Sequence, residues 1–315
     1  MKSTSPANNW MPLIQPKRLR PGDTIALIRP GSRLDPKAFD GTVKALRSLG
    51  FCTAVYPKKW KPDSRFSGSD ELRAEEFNWA FSQPGVRAIW ASRGGYGSQR
   101  MIESLNASAI DLWEPKILLG YSDLTYAHQW LQNRKHWLTF HGPLCGFLDR
   151  ASLKKTLQSL MDLPLEETTQ TWSEAKNIGG SGSVRGKLVG GNLSLLRVSG
   201  RAQLPVGEDL ILAIEDVDEA YYRIDRMLRM LGDSDVAPYI KGILLGTFHD
   251  CGKSDKKTFG FKRIEESLRR LTSGPIWKNC KFGHGLKSQR ILPLGAQVEM
   301  QSRGRLRILH GVVGP

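Results

Sequence analysis

The stretch Ile117-Leu118-Leu119-Gly120-Tyr121-Ser122-Asp123-Leu124 decides how the rest of the chain is read. Three apolar residues suited to a buried strand lead into a glycine, and a helical pattern from Leu124 to Asn133 begins a few residues later. A strand turning tightly into a helix is the unit from which parallel sheets are built. The same alternation runs upstream. Thr24 to Ile28 reads as a strand. A helix follows, with Asp35 as N-cap, Pro36 in the first helical position and Gly50 just past the end, while Val43, Leu46 and Leu49 recur at helical spacing. Cys52 to Tyr56 and Val86 to Ala91 are further strands, separated by a helix from Asp70 to Phe81 that Pro84-Gly85 stops. Trp137 to Phe140 is a fifth strand. The pattern predicts an α/β fold whose N-terminal domain is a Rossmann-like or flavodoxin-like parallel sheet with helices on both faces.

Such sheets bind their ligands where the chain leaves the carboxyl ends of the strands. The exits here read Arg29-Pro30-Gly31-Ser32, Arg93-Gly94-Gly95-Tyr96-Gly97, Gly120-Tyr121-Ser122-Asp123 and His141-Gly142-Pro143. All four are rich in glycine and polar residues, and all four should converge on one edge.

Residues 1–20 are an N-terminal extension, 21–161 the α/β domain, and 162–185 a linker marked by Glu166-Glu167-Thr168-Thr169 and Gly179-Gly180-Ser181-Gly182-Ser183. That glycine run lacks the G-K-[ST] ending of a phosphate loop. Residues 186–315 form a smaller, mainly β domain. It contains Gly190-Gly191-Asn192-Leu193-Ser194 and a strand from Leu210 to Ile214 that ends at Glu215. A helix from Ala220 to Leu231, a strand near Ile243 to Phe248 and a helix around Arg263 to Leu271 follow. Phe282-Gly283-His284-Gly285 and short closing strands complete it.

The chain has 315 residues and a net charge of +15. Its basic residues are dispersed rather than gathered into one stripe with aromatics, so nucleic acid is not the expected main partner. No apolar run reaches membrane-spanning length, and the polar start Met1-Lys2-Ser3-Thr4-Ser5-Pro6 is not a secretory signal, which makes the cytoplasm the expected compartment. Cys52, Cys145, Cys251 and Cys280 are widely spaced, with no C-x-x-C pair, and read as reduced thiols. No H-E-x-x-H occurs and the six histidines are scattered, so neither a metal nor another cofactor is expected.

Ser122 sits where a strand turns into a helix, with Gly120 two positions before it. That is half of a nucleophile elbow; Leu124 stands where the second glycine of G-x-S-x-G would be. The N–H of Asp123 at the helix start could stabilise an oxyanion. The same residues could equally cap that helix, the commoner use of Ser and Asp there. The Arg93 to Gly97 loop is an incomplete G-x-G-x-x-G, because Arg100 replaces the last glycine; it suits a second oxyanion N–H or an ordinary connection. Glu215 ends an apolar strand, where a carboxylate can orient a histidine, while Asp218 accounts for the start of the following helix. His284 lies between two glycines on an exposed loop. The order Ser, acid, His is one of several that give the same triad.

Together these stretches resemble the LD-carboxypeptidase family of serine peptidases, which also holds the microcin C self-immunity proteins. The matching segments run from Ile25 to Ser32, then Ser92 to Gly97, Leu119 to Thr125 and His141 to Pro143; downstream follow Gly190 to Ser194, Glu215-Asp216, Phe282 to His284 and Leu292 to Gly295. The resemblance implies two domains with the site between them. It implies Ser122 as nucleophile, His284 as general base and then acid, and Glu215 as the group that orients His284. The oxyanion hole would be the N–H of Asp123 and of a glycine in the Gly94-Gly95 turn, Gly95 being the choice. Arg93 is the candidate for the substrate carboxylate, with Tyr96 beside it in substrate binding. The substrate implied is a murein peptide losing its terminal D-Ala, and the protein is expected to pair as a homodimer. A self-immunity amidase cleaving an aminoacyl-nucleotide is the alternative, and a non-catalytic binding protein on the same scaffold a second. Arg29 departs from the small residue expected in the first loop.

Overall fold

In the computed structural model, which describes residues 13–58, 61–196, 200–201, 203–255 and 258–315, the apolar runs of the first half line up in one sheet. β1 (Thr24–Ile28), β2 (Cys52–Val55), β3 (Val86–Ala91), β4 (Ile117–Gly120) and β5 (Thr139–His141) are all parallel, in the order β5-β4-β3-β1-β2. Successive side chains leave a strand on opposite faces. Ile25 and Leu27 therefore pack on one face with Phe39, Val43 and Leu46, and Ala26 and Ile28 on the other with Phe77 and Phe81. Burial on both faces explains why these strands read as unbroken apolar runs.

The helices are α1 (Pro36–Ser48), α2 (Asp70–Ser82), α3 (Ser98–Glu103), α4 (Ala107–Ile110), α5 (Thr125–Lys135) and α6 (Arg150–Met161). Helix α1 starts as expected: the Asp35 carboxylate accepts the Lys37 N–H at 3.1 Å, Pro36 occupies the first turn, and Gly50 follows the end with φ 88°. Helices α3, α4 and α6 add to the sequence reading; α6 carries a legible signal, with Asp149 accepting the Ser152 N–H at 2.7 Å and Leu153, Leu157 and Leu160 buried at helical spacing.

The second sheet has eight strands. They are β6 (Thr168–Thr171), β7 (Lys176–Gly179), β8 (Val184–Asn192), β9 (Leu210–Val217), β10 (Ile240–His249), β11 (Ile276–Lys278), β13 (Gln297–Gln301) and β14 (Arg305–Ile308), with β12 (Leu292–Leu294) leaving to join the first sheet, antiparallel to β5. The order is β6-β14-β13-β8-β9-β10-β11-β7, and β8 to β11 run parallel. Helices α7 (Tyr221–Gly232) and α8 (Phe261–Leu271) bury Ile224, Leu228, Ile264 and Leu268 against it.

Three expectations change. The stretch 162–185 is not a plain linker: β6 and β7 within it close opposite edges of the second sheet. Thr168–Thr171 alternates between half-buried and exposed, as an edge strand can, and so carries little apolar signal. Asp218 does not cap α7; Asp255 from a later loop does, accepting the N–H groups of Tyr221 at 3.0 Å and Tyr222 at 2.9 Å. The described part of the extension is packed down, with Ile14 bonded to His136, Arg18 N–H to Gly314 O, and Leu19 fully buried; residues 1–12 lie outside the described residues.

Candidate active site

The carboxyl ends of the two sheets face each other across the N-terminus of α5. The Asn192 N–H, at the end of β8, donates to the Thr125 hydroxyl at 3.0 Å. This approach requires glycine at 191: its φ is 136°, and a Cβ there would lie 2.5 Å from Thr125 Oγ1.

Ser122 occupies the bend between β4 and α5 with φ 63°, a left-handed conformation that costs a non-glycine residue stability and marks functional turns. Its hydroxyl does not cap the helix, since neither the short turn Ser122–Leu124 nor α5 has a side-chain cap bond. Asp123 caps a different helix. Its buried carboxylate accepts the N–H of Gly97 at 3.2 Å and of Ser98 at 2.9 Å, at the start of α3, and its carbonyl accepts the Ser98 hydroxyl. Burial pushes this carboxyl up to about 6 despite those bonds. Among the described residues the backbone N–H of Asp123 donates to no acceptor of the chain.

The Arg93 to Gly97 loop lies against this bend. A Cβ on Gly94 would stand 3.3 Å from both Ser122 Oγ and the Asp123 nitrogen, so the absence of a side chain keeps the serine accessible. Gly95, with φ 87°, turns instead toward Ser32; a Cβ there would lie 2.4 Å from the Ser32 hydroxyl. Ser32 laces the first loop to the second, donating its N–H to Gly94 O at 2.9 Å and accepting the Tyr96 N–H at 3.2 Å. Arg73, fully buried on α2, binds the carbonyls of Pro30 and Gly97, both at 2.6 Å. Nothing in its local sequence distinguishes this arginine, because its partners come from separate loops.

The other candidates fall as follows. Arg93 donates to Arg33 O at 2.6 Å and lies over the Phe147 ring at 5.6 Å. Tyr96 is half exposed, with its ring 5.7 Å from Phe66. Arg29, the departure in the first loop, pairs with buried Glu76 through Nε at 3.1 Å and Nη2 at 2.8 Å.

Glu215 and His284 meet. The fully buried Glu215 Oε2 lies 2.6 Å from His284 Nδ1 and accepts the His284 backbone N–H at 3.2 Å. His284 is held rather than loose: Thr247 donates to its carbonyl at 2.7 Å, and its side chain is only 18% exposed. Glu215 and Asp216 point to opposite sides of β9. Asp216 accepts from Asn192 Nδ2 at 3.0 Å and Ser194 Oγ at 2.7 Å, fixing the Gly190 to Ser194 turn, and burial pushes it up to about 6. The chain's own contacts do not include a hydrogen bond between Ser122 and His284. Tyr121 stands between their segments, its ring centroid 4.7 Å from that of His284. Burial, followed by the Glu215 charge, pushes the Tyr121 phenol up to about 12, so it is neutral. Tyr121 and Gln289, which accepts the Gly283 N–H at 3.2 Å, are site neighbours that sequence patterns did not mark.

Comparison with known proteins gives a family. Residues 25–142 match the LD-carboxypeptidase N-terminal domain and residues 185–300 the LD-carboxypeptidase C-terminal domain. A Bacillus subtilis protein named "Probable murein peptide carboxypeptidase" is 29% identical over 310 residues, covering 95% of each chain. A Synechocystis sp. protein named "Putative carboxypeptidase" is 32% identical over 298 residues, covering 91% of this chain and 94% of its own. The crystal structure of muramoyltetrapeptide carboxypeptidase from Oxalobacter formigenes superposes with a TM-score of 0.78 at 28% identity, over 93% of this chain and 100% of that one. MccF in complex with glutamyl sulfamoyl guanosine shares the fold, with a TM-score of 0.81 at 23% identity over 96% of this chain and 100% of that one. The chain belongs to the LD-carboxypeptidase family of serine peptidases.

Proposed function

We propose that the protein releases the terminal D-amino acid from murein tetrapeptides through a Ser122-His284-Glu215 triad. The observation that carries this is the 2.6 Å bond from Glu215 to His284 Nδ1, which leaves Nε2 as the ring nitrogen for proton transfer. Ser122 Oγ attacks the carbonyl of the L-centre while His284 Nε2 takes its proton. The N–H groups of Asp123 and Gly95 hold the oxyanion. Collapse expels the D-amino acid, which takes the proton from His284, and water then resolves the acyl-enzyme by the same route in reverse. The Ser122–His284 hydrogen bond is formed when substrate seats between the domains, since catalytic bonds in free enzymes are often long. Arg93 and Tyr96, on the loop beside Ser122, are assigned to the substrate. The family resemblance extends the reading to recycling of murein fragments in the cytoplasm by a homodimer. No described helix is long and apolar enough to cross a membrane.

The MccF fold likeness and the +15 charge favour one other substrate, an aminoacyl-nucleotide cleaved by the same triad. Purified protein is given a murein tetrapeptide and an aminoacyl-adenylate analogue side by side. D-Ala release with the analogue intact supports the carboxypeptidase, and the converse result replaces it.

A further inference from the structure

The exit His141-Gly142-Pro143 has no part in the triad, yet His141 lies at its centre. It ends β5 and is fully buried. Its ring centroid is 5.6 Å from that of Tyr121 and 5.6 Å from that of Phe282, edge-on to the latter at 90°. Tyr121 precedes Ser122, and Phe282 leads into His284. One imidazole therefore touches both segments that carry the proposed nucleophile and base.

Neither ring nitrogen of His141 meets a partner of the chain in hydrogen-bond geometry. Glu215 Oε1, the oxygen not engaged by His284, is buried and unmet in the same cluster. Two such orphans whose charges act on one another are rare, because buried polar atoms are nearly always satisfied. Burial drives His141 down to about 4, so its ring is neutral, although the Glu215 charge acts on it in the opposite direction. A neutral imidazole has one N–H to donate and one nitrogen to accept.

We propose that His141 is the positioning residue for Glu215, its N–H holding Oε1 directly or through one trapped water so that Oε2 stays aimed at His284. The proposal rests on the triad reading above. A carboxylate bound by one oxygen turns easily about its last torsion, which is broad and two-fold. A second bond on Oε1 removes that freedom. A neutral donor also leaves Glu215 its negative charge for the imidazolium that forms at His284, whereas a cation would spend it.

The test uses the full-length protein with His141→Leu, which keeps the bulk and removes the donor, and with His141→Asn and His141→Gln, which place an amide near Nδ1 and Nε2. Two readouts are taken: kcat and KM for D-Ala release, and the low-field proton resonance of His284 Nδ1–H. Leucine should lower kcat by about 10-fold to 100-fold at unchanged KM, the scale of a lost hydrogen bond to a charged group. It should also shift or broaden the resonance, and one of the two amides should restore both. A leucine variant with native kcat and native resonance overturns the proposal, as does a loss that neither amide repairs. Should leucine prevent folding, the amides decide: one near native and the other impaired supports the proposal, while equal behaviour overturns it. Failure of the triad itself shows separately, as turnover retained in Ser122→Ala, because the resonance needs no turnover.

Discussion

One oxygen of Glu215 serves His284 twice: Oε2 lies 2.6 Å from the ring nitrogen Nδ1 and 3.2 Å from the backbone nitrogen of the same residue. Ring and chain are thus tied to a single buried atom at the end of β9. The histidine loop, flanked by glycines with φ 101° and 76°, takes its shape from that bond and from the Thr247 bond to its carbonyl.

Replacing Glu215 with Gln should leave the fold intact and lower kcat by roughly 10⁴-fold, as when a triad histidine is left in the wrong tautomer. Ser122→Ala should cost at least as much. Single-turnover assays on both, with circular dichroism as the folding control, check this. A Glu215→Gln enzyme within 10-fold of native would remove Glu215 from the mechanism.

The adjacent glycines should respond differently. An alanine methyl at 94 would press within 3.3 Å of Ser122 Oγ, so Gly94→Ala is expected to lower kcat/KM by about 100-fold through misplacement of the serine, with little change in stability. At 95 the obstacle is φ 87° and the Ser32 hydroxyl, so Gly95→Ala should cost about 1–2 kcal/mol of stability. Thermal midpoints set beside kinetics separate the two; equal stability losses would contradict the geometry.

The Arg29–Glu76 pair is a stability element with a pH signature. Burial raises the Glu76 carboxyl from 4.5 to about 7 and lowers the Arg29 guanidinium, so on both partners desolvation outweighs attraction. A raised carboxyl binds its proton more tightly folded than unfolded. Its stabilising contribution is complete below about pH 4.5 and is lost as pH rises through about 7. Asp123 and Asp216, each raised to about 6, act with the same sign. Arg29→Ala removes the attraction that holds the Glu76 carboxyl down, so Glu76 should take up a proton rather than stay charged, and the loss of stability should grow as pH rises above about 7. Glu76→Gln should flatten the fall of the thermal midpoint between pH 4.5 and 7. An unchanged slope would show that Glu76 does not titrate there.

Asp123→Ala should loosen the glycine loop without touching the serine. Loss of its bonds to Gly97 and Ser98 removes the cap of α3, at a cost of about 1–2 kcal/mol. Activity should fall while Ser122 still reacts with a fluorophosphonate probe. Native activity in this variant would mean that the loop is held by Arg73 and Ser32 alone.

The parallel sheet was legible because its strands are buried on both faces, so Ile25 to Ile28 and Ile117 to Leu119 stand out as continuous apolar runs. The cap at Asp35 and the stop at Gly50 were legible because they act on their own neighbours. Strands β6 and β7 were not, since half-wet edge strands resemble loops, nor was β12, three residues that add to a sheet begun far upstream.

The sequence by itself determined the alternation of strands and helices, the glycine-rich exits and the order Ser122, Glu215, His284. These follow from periodicity and local backbone preference, which neighbouring residues set between them. Only the tertiary structure decided which atoms meet. It joined Glu215 to His284 across 69 residues, turned the Asp123 carboxylate away from its own helix to cap α3, and buried His141 between Tyr121 and Phe282. Those contacts arise where two sheets bring their carboxyl ends together, and their energies belong to pairs that lie far apart along the chain.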